Sequence, residues 1–374
     1  MFKSVLSLTL AAALGTASFG QTTLTAIPGE AAAAKYASIS QEILRAIEKG
    51  NEYLKSKQNP EGYWAQPSDP ALTALAVTAY MRDPANQGKP VPEYIRKGYD
   101  FILKSQKEDG SIFNRGMSSY NTAVCMMALL AANKEEYAPA ILKGRAYLIK
   151  QQNHFAPDNP YNGGIGYGDK QAPPIADLSN TSLALEAIYY SQKLAKDGKY
   201  GEQPDLDWNA ATEFINRCQQ NPAVNKEPWV SNDKSQLGGF VYRPGVSSAR
   251  DKKAAAFDKA EPPKAYGSMT YAGMQSLIYA NVDKNDPRVK LALKWLENSY
   301  SLDENPGMGV QGLYYYYQAM SKALSAMGID TLTLENGRKV DWRDELANKL
   351  ISIQKGDGSW VNTNNRWWEA DPVL

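Results

Sequence analysis

The side chains able to do chemistry are few in kind and unevenly placed. The 374 residues hold one histidine and two cysteines. His154 sits in a polar turn and Cys125 and Cys218 in separate apolar stretches. They lack the clustering of Cys, His and carboxylate that a metal needs, so no metal and no cofactor are expected. Carboxylates, amides and 23 tyrosines remain. The tyrosines concentrate in Tyr266-Gly267-Ser268-Met269-Thr270-Tyr271 and in Tyr314-Tyr315-Tyr316-Tyr317. Rings with polar tips suit an apolar, glycan or peptide ligand. Asp69, Asn121, Asp177, Asn180, Thr270, Tyr271, Tyr314, Trp367, Glu369 and Asp371 stand at the starts of apolar segments and form the candidate ligand-binding set. Asp69 and Asp371 each precede a proline, which equally fits a helix N-cap followed by proline at the first helical position. Paired carboxyls there would serve glycoside hydrolysis. No residue is assigned a catalytic role.

The elements that must position these groups come from a repeat. Lys49-Gly50-Asn51-Glu52-Tyr53-Leu54, with Gln58, Gly62 and Trp64 beyond it, recurs as Lys97-Gly98-Tyr99-Asp100-Phe101-Ile102 with Gln106 and Gly110, and as Lys143-Gly144-Arg145-Ala146-Tyr147-Leu148 with Gln152. Weaker copies run through Ile215 with Gln219, through Leu296 with Tyr300 in place of Gln, and through Leu350 with Gln354, Gly358 and Trp360. Each copy starts with a helix apolar on one side, such as Ile43, Ile47, Gly50 and Leu54. A loop follows, then a segment apolar nearly all round, such as Ala71–Val77 or Ala123–Leu129, which must be buried on most sides. Six such alternations predict two concentric rings of helices, with Gly50, Gly98 and Gly144 allowing close approach. The N-termini of the inner helices then gather around one mouth, with the candidate set on its rim. In a closed ring Asp69 and Asp371 would be neighbours.

The pattern Lys-Gly-x-x-aromatic-aliphatic-x-x-x-Gln-x-x-x-Gly-x-Trp resembles the QW-type repeat of the terpenoid cyclase and protein prenyltransferase superfamily. The resemblance implies an all-α fold, an α/α toroid of about six helix pairs (an α6/α6 barrel) over residues 40–374. It also implies that Gln58, Trp64, Gln354 and Trp360 are structural. The chemistries of that superfamily do not transfer. A zinc-dependent prenyltransferase site needs Asp, Cys and His together, and His154 stands alone. Proton-initiated cyclisation needs an Asp-x-Asp-Asp run, and no Asp-Asp dipeptide occurs. Tyr200-Gly201-Glu202-Gln203 resembles an internal-thioester motif but has no thiol. Two irregularities stand out: the long connection from Asn221 to Ala265, read as a lid, a subunit contact or a plain insertion, and Asp371-Pro372-Val373-Leu374, which repeats Asp69-Pro70-Ala71-Leu72 and stops. The sixth inner helix is therefore expected to be truncated.

Composition sets the bounds. Hydrophobic residues at 43% and charged residues at 22% describe a compact globular chain. A net charge of +1 argues against a nucleic-acid partner. Residues 1–20, with Lys3, an apolar run from Val5 to Leu14 and small residues at Ala17, Ser18 and Gly20, read as a secretory signal peptide, and 21–39 as a linker. The apolar run is too short for a stable membrane span, so the mature chain is expected to be exported to the periplasm or outside the cell. Export permits a Cys125–Cys218 disulfide, but the apolar surroundings favour two buried free thiols. Three functions stay open: a binding or interaction protein using the central cavity or its rim, a secreted carbohydrate-active lyase or hydrolase, and a divergent terpenoid cyclase.

Overall fold

The computed structural model describes residues 30–168, 175–249 and 262–373. The expected leader at 1–20 and the charged run Arg250, Asp251, Lys252 and Lys253 of the long connection lie outside the described residues. The described part is mostly helical. In chain order the helices are α1 (Glu30–Lys57), α2 (Pro70–Arg82), α3 (Glu93–Lys104), α4 (Ser118–Ala132), α5 (Ala138–Lys150), α6 (Leu178–Tyr190), the short α7 (Gln192–Lys196), α8 (Trp208–Asn216), α9 (Gly267–Tyr279), α10 (Pro287–Asn298), α11 (Leu313–Met327) and α12 (Trp342–Ile353). α1 starts at Glu30, inside the stretch read as a linker. One addition to the helical expectation is a hairpin of β1 (Thr331–Thr333) and β2 (Lys339–Asp341), antiparallel with Leu332 opposite Val340 and both side chains buried.

α2, α4, α6, α9 and α11 are the buried helices, and they pack on one another in that order. α3 lies on α2, α5 on α4 and α10 on α9, while α1 meets α12. Close approach explains the helical glycines: a Cβ on Gly98 would fall 2.6 Å from Val77 and one on Gly144 2.9 Å from Met126.

The repeated glutamine ties these layers together. Gln58 Nε2 donates to the Gly62 and Tyr94 carbonyls at 3.0 and 2.7 Å, Gln106 Nε2 to Gly110 and Ala140 at 3.2 and 2.9 Å, and Gln152 Nε2 to Gly163 and Asp207 at 3.0 and 2.9 Å. Gln219 does the same with Gly238 and Arg288. In each case one amide fixes its own loop and the start of the next amphipathic helix, whose carbonyl accepts it on a second lone pair. Tyr300, which replaces glutamine in the fifth copy, makes the same link by donating its hydroxyl to Glu345 of α12 at 3.1 Å. Gln354 Nε2 then donates to Gly358 at 2.9 Å and to Ala46 of α1 at 2.7 Å, joining the last copy to the first. Trp64 Nε1 donates to Leu54 at 2.6 Å and Trp360 Nε1 to Leu350 at 2.8 Å, so both tryptophans are structural. After α12 the described chain forms only a 3-10 turn, Arg366–Trp368, and no inner helix.

Cys125 and Cys218 are both buried and unpaired. No described helix is long and apolar enough to cross a membrane.

Candidate functional site

The starts of the buried helices are capped by side chains and carbonyls from neighbouring loops, and this decides where the candidate residues point. Asn121 Oδ1 accepts from the Ala71 N–H at 2.9 Å and so caps α2. Asp69, which the Asp-Pro signature marks as that cap, makes no side-chain cap bond. Its Oδ2 instead accepts from Gln66 Nε2 at 3.0 Å and Ser68 Oγ at 2.8 Å, and its buried Oδ1 has no partner. Asp177 caps α6, accepting from the Asn180 N–H and Nδ2 at 2.8 Å each. Glu369 is buried and caps α11, accepting from Tyr315 N–H at 2.8 Å and Asn362 Nδ2 at 2.6 Å.

Several candidates are committed elsewhere. Thr270 Oγ1 donates to Tyr266 O at 2.9 Å and accepts from Phe240 N–H at 3.0 Å, repeating what Thr122 and Thr181 do for Ile112 and Ile165. Tyr271 is fully buried against Tyr316, ring centres 5.7 Å apart. Tyr314 stands edge-on to Tyr317 at 5.9 Å. Trp367 is 44% exposed, lies over Gly312 and is stacked by Arg366 at 4.8 Å. Asp371 is exposed and accepts from Val373 N–H at 3.0 Å; among the described residues no hydrogen bond joins it to Asp69. Its charge acts on Tyr53 of α1.

What comes together is a group centred on Asp177 and Asn180. The long connection delivers Tyr242 and Arg243: the Leu178 N–H donates to Tyr242 O at 2.8 Å, which places that segment over the start of α6. The Tyr242 hydroxyl faces the Asp177 carboxyl, with Tyr167 Oη 3.4 Å from it. Tyr167, on the loop before α6, turns its hydroxyl toward Asn180 without closing a bond to Oδ1, which stays buried and unpartnered. Tyr315 of α11 shares a hydrogen bond with Ser179 Oγ at 3.0 Å and feels the charges of Asp177 and Tyr167. Tyr120 of α4 bridges this group to Asp69 electrostatically. Tyr242 and Tyr315 are half-buried and Tyr167 is exposed, so three phenols border the carboxyl, and the half-buried Tyr120 lies beyond them toward Asp69.

Burial pushes Asp177 up to about 6, against the hydrogen bonds from Asn180 and Tyr242 and the charge of Arg243, which all favour the ionised form. Burial also raises Tyr315 to about 12 and drives Tyr242 well above its ordinary range, with the Asp177 charge adding to it. Arg243 Nε and Ser119 Oγ are further buried atoms without partners. Among the described residues no group of three potential metal ligands occurs.

Sequence reasoning missed Tyr120, Tyr167, Tyr242, Arg243 and Tyr315. The Tyr242-Arg243 pair had a usable signal, since it lies in the overlong connection. Tyr315 had a weaker one in the four-tyrosine run, of which Tyr316 and Tyr317 are buried while Tyr314 and Tyr315 keep an open edge. Compared with models of known protein families, the chain matches none.

Proposed function

We propose that this is an exported α/α toroid, of the terpenoid cyclase and prenyltransferase type, that binds a hydroxyl-rich ligand of the glycan class at the rim formed by its inner-helix N-termini. The tie from Gln354 back to Ala46 supports the ring. The observation that carries the ligand reading is the cluster of partly exposed phenols, Tyr167, Tyr242 and Tyr315, around Asp177 and Asn180. Sugar hydroxyls donate and accept at once, and their C–H faces stack on phenol rings.

A carbohydrate-active enzyme is the second reading. It is favoured by one observation: Asp177 holds its proton up to about pH 6, which suits a carboxyl that gives up a proton near neutrality. A divergent cyclase is disfavoured, because the buried pair of Glu186 and Lys322 between α6 and α11 would oppose the apolar surroundings that carbocation chemistry needs.

The test is a glycan array probed with the wild type and with Tyr167→Ala. A glycan bound by the wild type and lost by the variant supports the reading. No glycan bound, or binding unchanged in Tyr167→Ala, overturns it.

A further inference from the structure

Large apolar side chains left exposed are informative where they gather. Among the described residues six are exposed, and four of them, Tyr167, Val310, Trp367 and Trp368, border the starts of α6 and α11. Those two starts meet where Ser179 and Tyr315 share their hydrogen bond at 3.0 Å. The Tyr315 N–H then donates to Glu369, the residue after Trp368, and Asn362 Nδ2 reaches the Val310 carbonyl at 2.6 Å. Arg366, Tyr315 and Asp177 all act on the Tyr266 hydroxyl, so the loop that carries the indoles adjoins the phenols around Asp177.

Trp367 and Trp368 also have φ of +58° and +63°, left-handed values that disfavour bulky residues and that glycine or asparagine would take at less cost. Packing accounts for Trp367 in part, because its ring lies over Gly312 and is stacked by Arg366. It does not account for Trp368, which is 45% exposed and whose indole makes no hydrogen bond and no ring contact among the described residues. The polar groups beside the pair are amides and a guanidinium. Arg366 Nη1 donates to Gln311 Oε1 at 2.6 Å, and the exposed Asn365 makes no side-chain hydrogen bond among the described residues. An apolar protein surface laid over the indoles would strip water from these groups without replacing its hydrogen bonds. A sugar ring supplies both needs, with C–H groups on its face for an indole and hydroxyls at its edge that donate to and accept from amides.

We propose that Trp368 is a stacking platform for a sugar ring beyond the Asp177 phenols, which makes the ligand an oligosaccharide rather than a single sugar. This rests on the glycan reading of the rim. The experiment presents the full chain to an array of glucose, xylose, mannose, galactose and N-acetylglucosamine chains, from disaccharide to hexasaccharide, with Trp368→Asn and Trp368→Phe as variants. Asparagine accepts a φ of +63°, so Trp368→Asn is expected to keep the urea unfolding midpoint of the wild type. The wild type should bind a hexasaccharide at least about ten-fold more tightly than the matching disaccharide; Trp368→Asn should lose that advantage at an unreduced midpoint, and Trp368→Phe should keep most of it. A hexasaccharide bound no better than its disaccharide, or an advantage that survives in Trp368→Asn, overturns the platform; where Tyr167→Ala still abolishes binding, the rim reading stands without it. A lowered midpoint in Trp368→Asn makes the indole structural and overturns the proposal, as does a wild-type dimer that this variant turns into a monomer in sedimentation velocity. No glycan bound by the wild type overturns the rim reading and this proposal with it.

Discussion

Replacing Asp177 by asparagine should stabilise the protein at neutral pH while leaving its stability in acid unchanged. Burial raises this carboxyl from its ordinary 3.8 to about 6. An acid whose folded value lies above its unfolded one binds its proton more tightly when folded. Stability is therefore highest below about pH 3.8, falls as pH rises toward 6 and stays low above it. The displacement corresponds to roughly 3 kcal/mol at about 1.4 kcal/mol per pH unit. Asparagine is a permanently neutral counterpart and keeps the cap on Asn180 N–H, because Asn and Asp cap about equally well. The one new conflict is its NH2 facing Asn180 Nδ2, and a rotation of the Asn180 amide removes it by presenting the Oδ1 that now lacks a partner. Urea unfolding followed by tryptophan fluorescence should give coincident curves at pH ~3, below the unfolded value of 3.8. A gap of ~3 kcal/mol in favour of Asp177→Asn should open by pH 7.5. A gap that does not vary with pH, or a variant less stable than the wild type at pH 7.5, would refute the account of Asp177 as a carboxyl held at a cost.

Other expectations test the framework. Gln354→Ala removes two hydrogen bonds, to Gly358 and Ala46, and should cost ~2 kcal/mol in urea unfolding, as should Gln58→Ala; a much smaller loss at Gln354 would mean that the last copy is not tied to the first. Gly110 has a φ of +90° and its Cβ would strike the Lys143 carbonyl, whereas Gly88, at +74°, faces open space. Gly110→Ala should therefore cost more than about 3 kcal/mol and Gly88→Ala only about 1 kcal/mol, with equal losses ruling against close packing of that loop. Burial raises the Cys125 and Cys218 thiols well above their ordinary range, so native protein should resist iodoacetamide at both. Alkylation should begin only as urea unfolds the chain, and rapid modification of either thiol in native protein would contradict its burial.

The outer framework was legible because one local device recurs. In five of the six copies a glutamine at the end of the amphipathic helix reaches a glycine loop and a second helix, and in three of them the loop contact leaves a trace at a spacing of four: Gln58 with Gly62, Gln106 with Gly110, Gln354 with Gly358. The thiols were legible for a similar reason, since apolar neighbours in sequence became apolar neighbours in space. The candidate site was legible only in part. Asp177 and Asn180 were found because a cap and its helix are adjacent in sequence. Asp69 does not act as the cap that its Asp-Pro signature marks, because Asn121, 50 residues beyond the capped Ala71, takes that role. Thr270 and Tyr271 sit at a helix start but point into the packing between layers, and only the fold decides which way a residue at a given helical position turns. Tyr242, Tyr167 and Tyr315 come from two loops and a distant helix, and no spacing in the sequence relates them.

The same contrast bears on where a function can reside. The glutamine, glycine and threonine contacts that repeat from copy to copy hold the amphipathic helices to the loops and to the outward faces of the buried helices. None of them involves Tyr120 or Tyr315, and Tyr120 holds a position that does not repeat in kind: two residues before Thr122 it stands where α6, two residues before Thr181, has Ser179. Framework and interior thus draw on different residues, and the interior can change without loosening the ties. A buried carboxyl near pH 6, a buried ion pair and buried hydroxyls without partners all carry costs that apolar packing would remove. Ties made by other residues can sustain those costs, and in the proposed reading the Asp177 carboxyl is the one that borders the ligand.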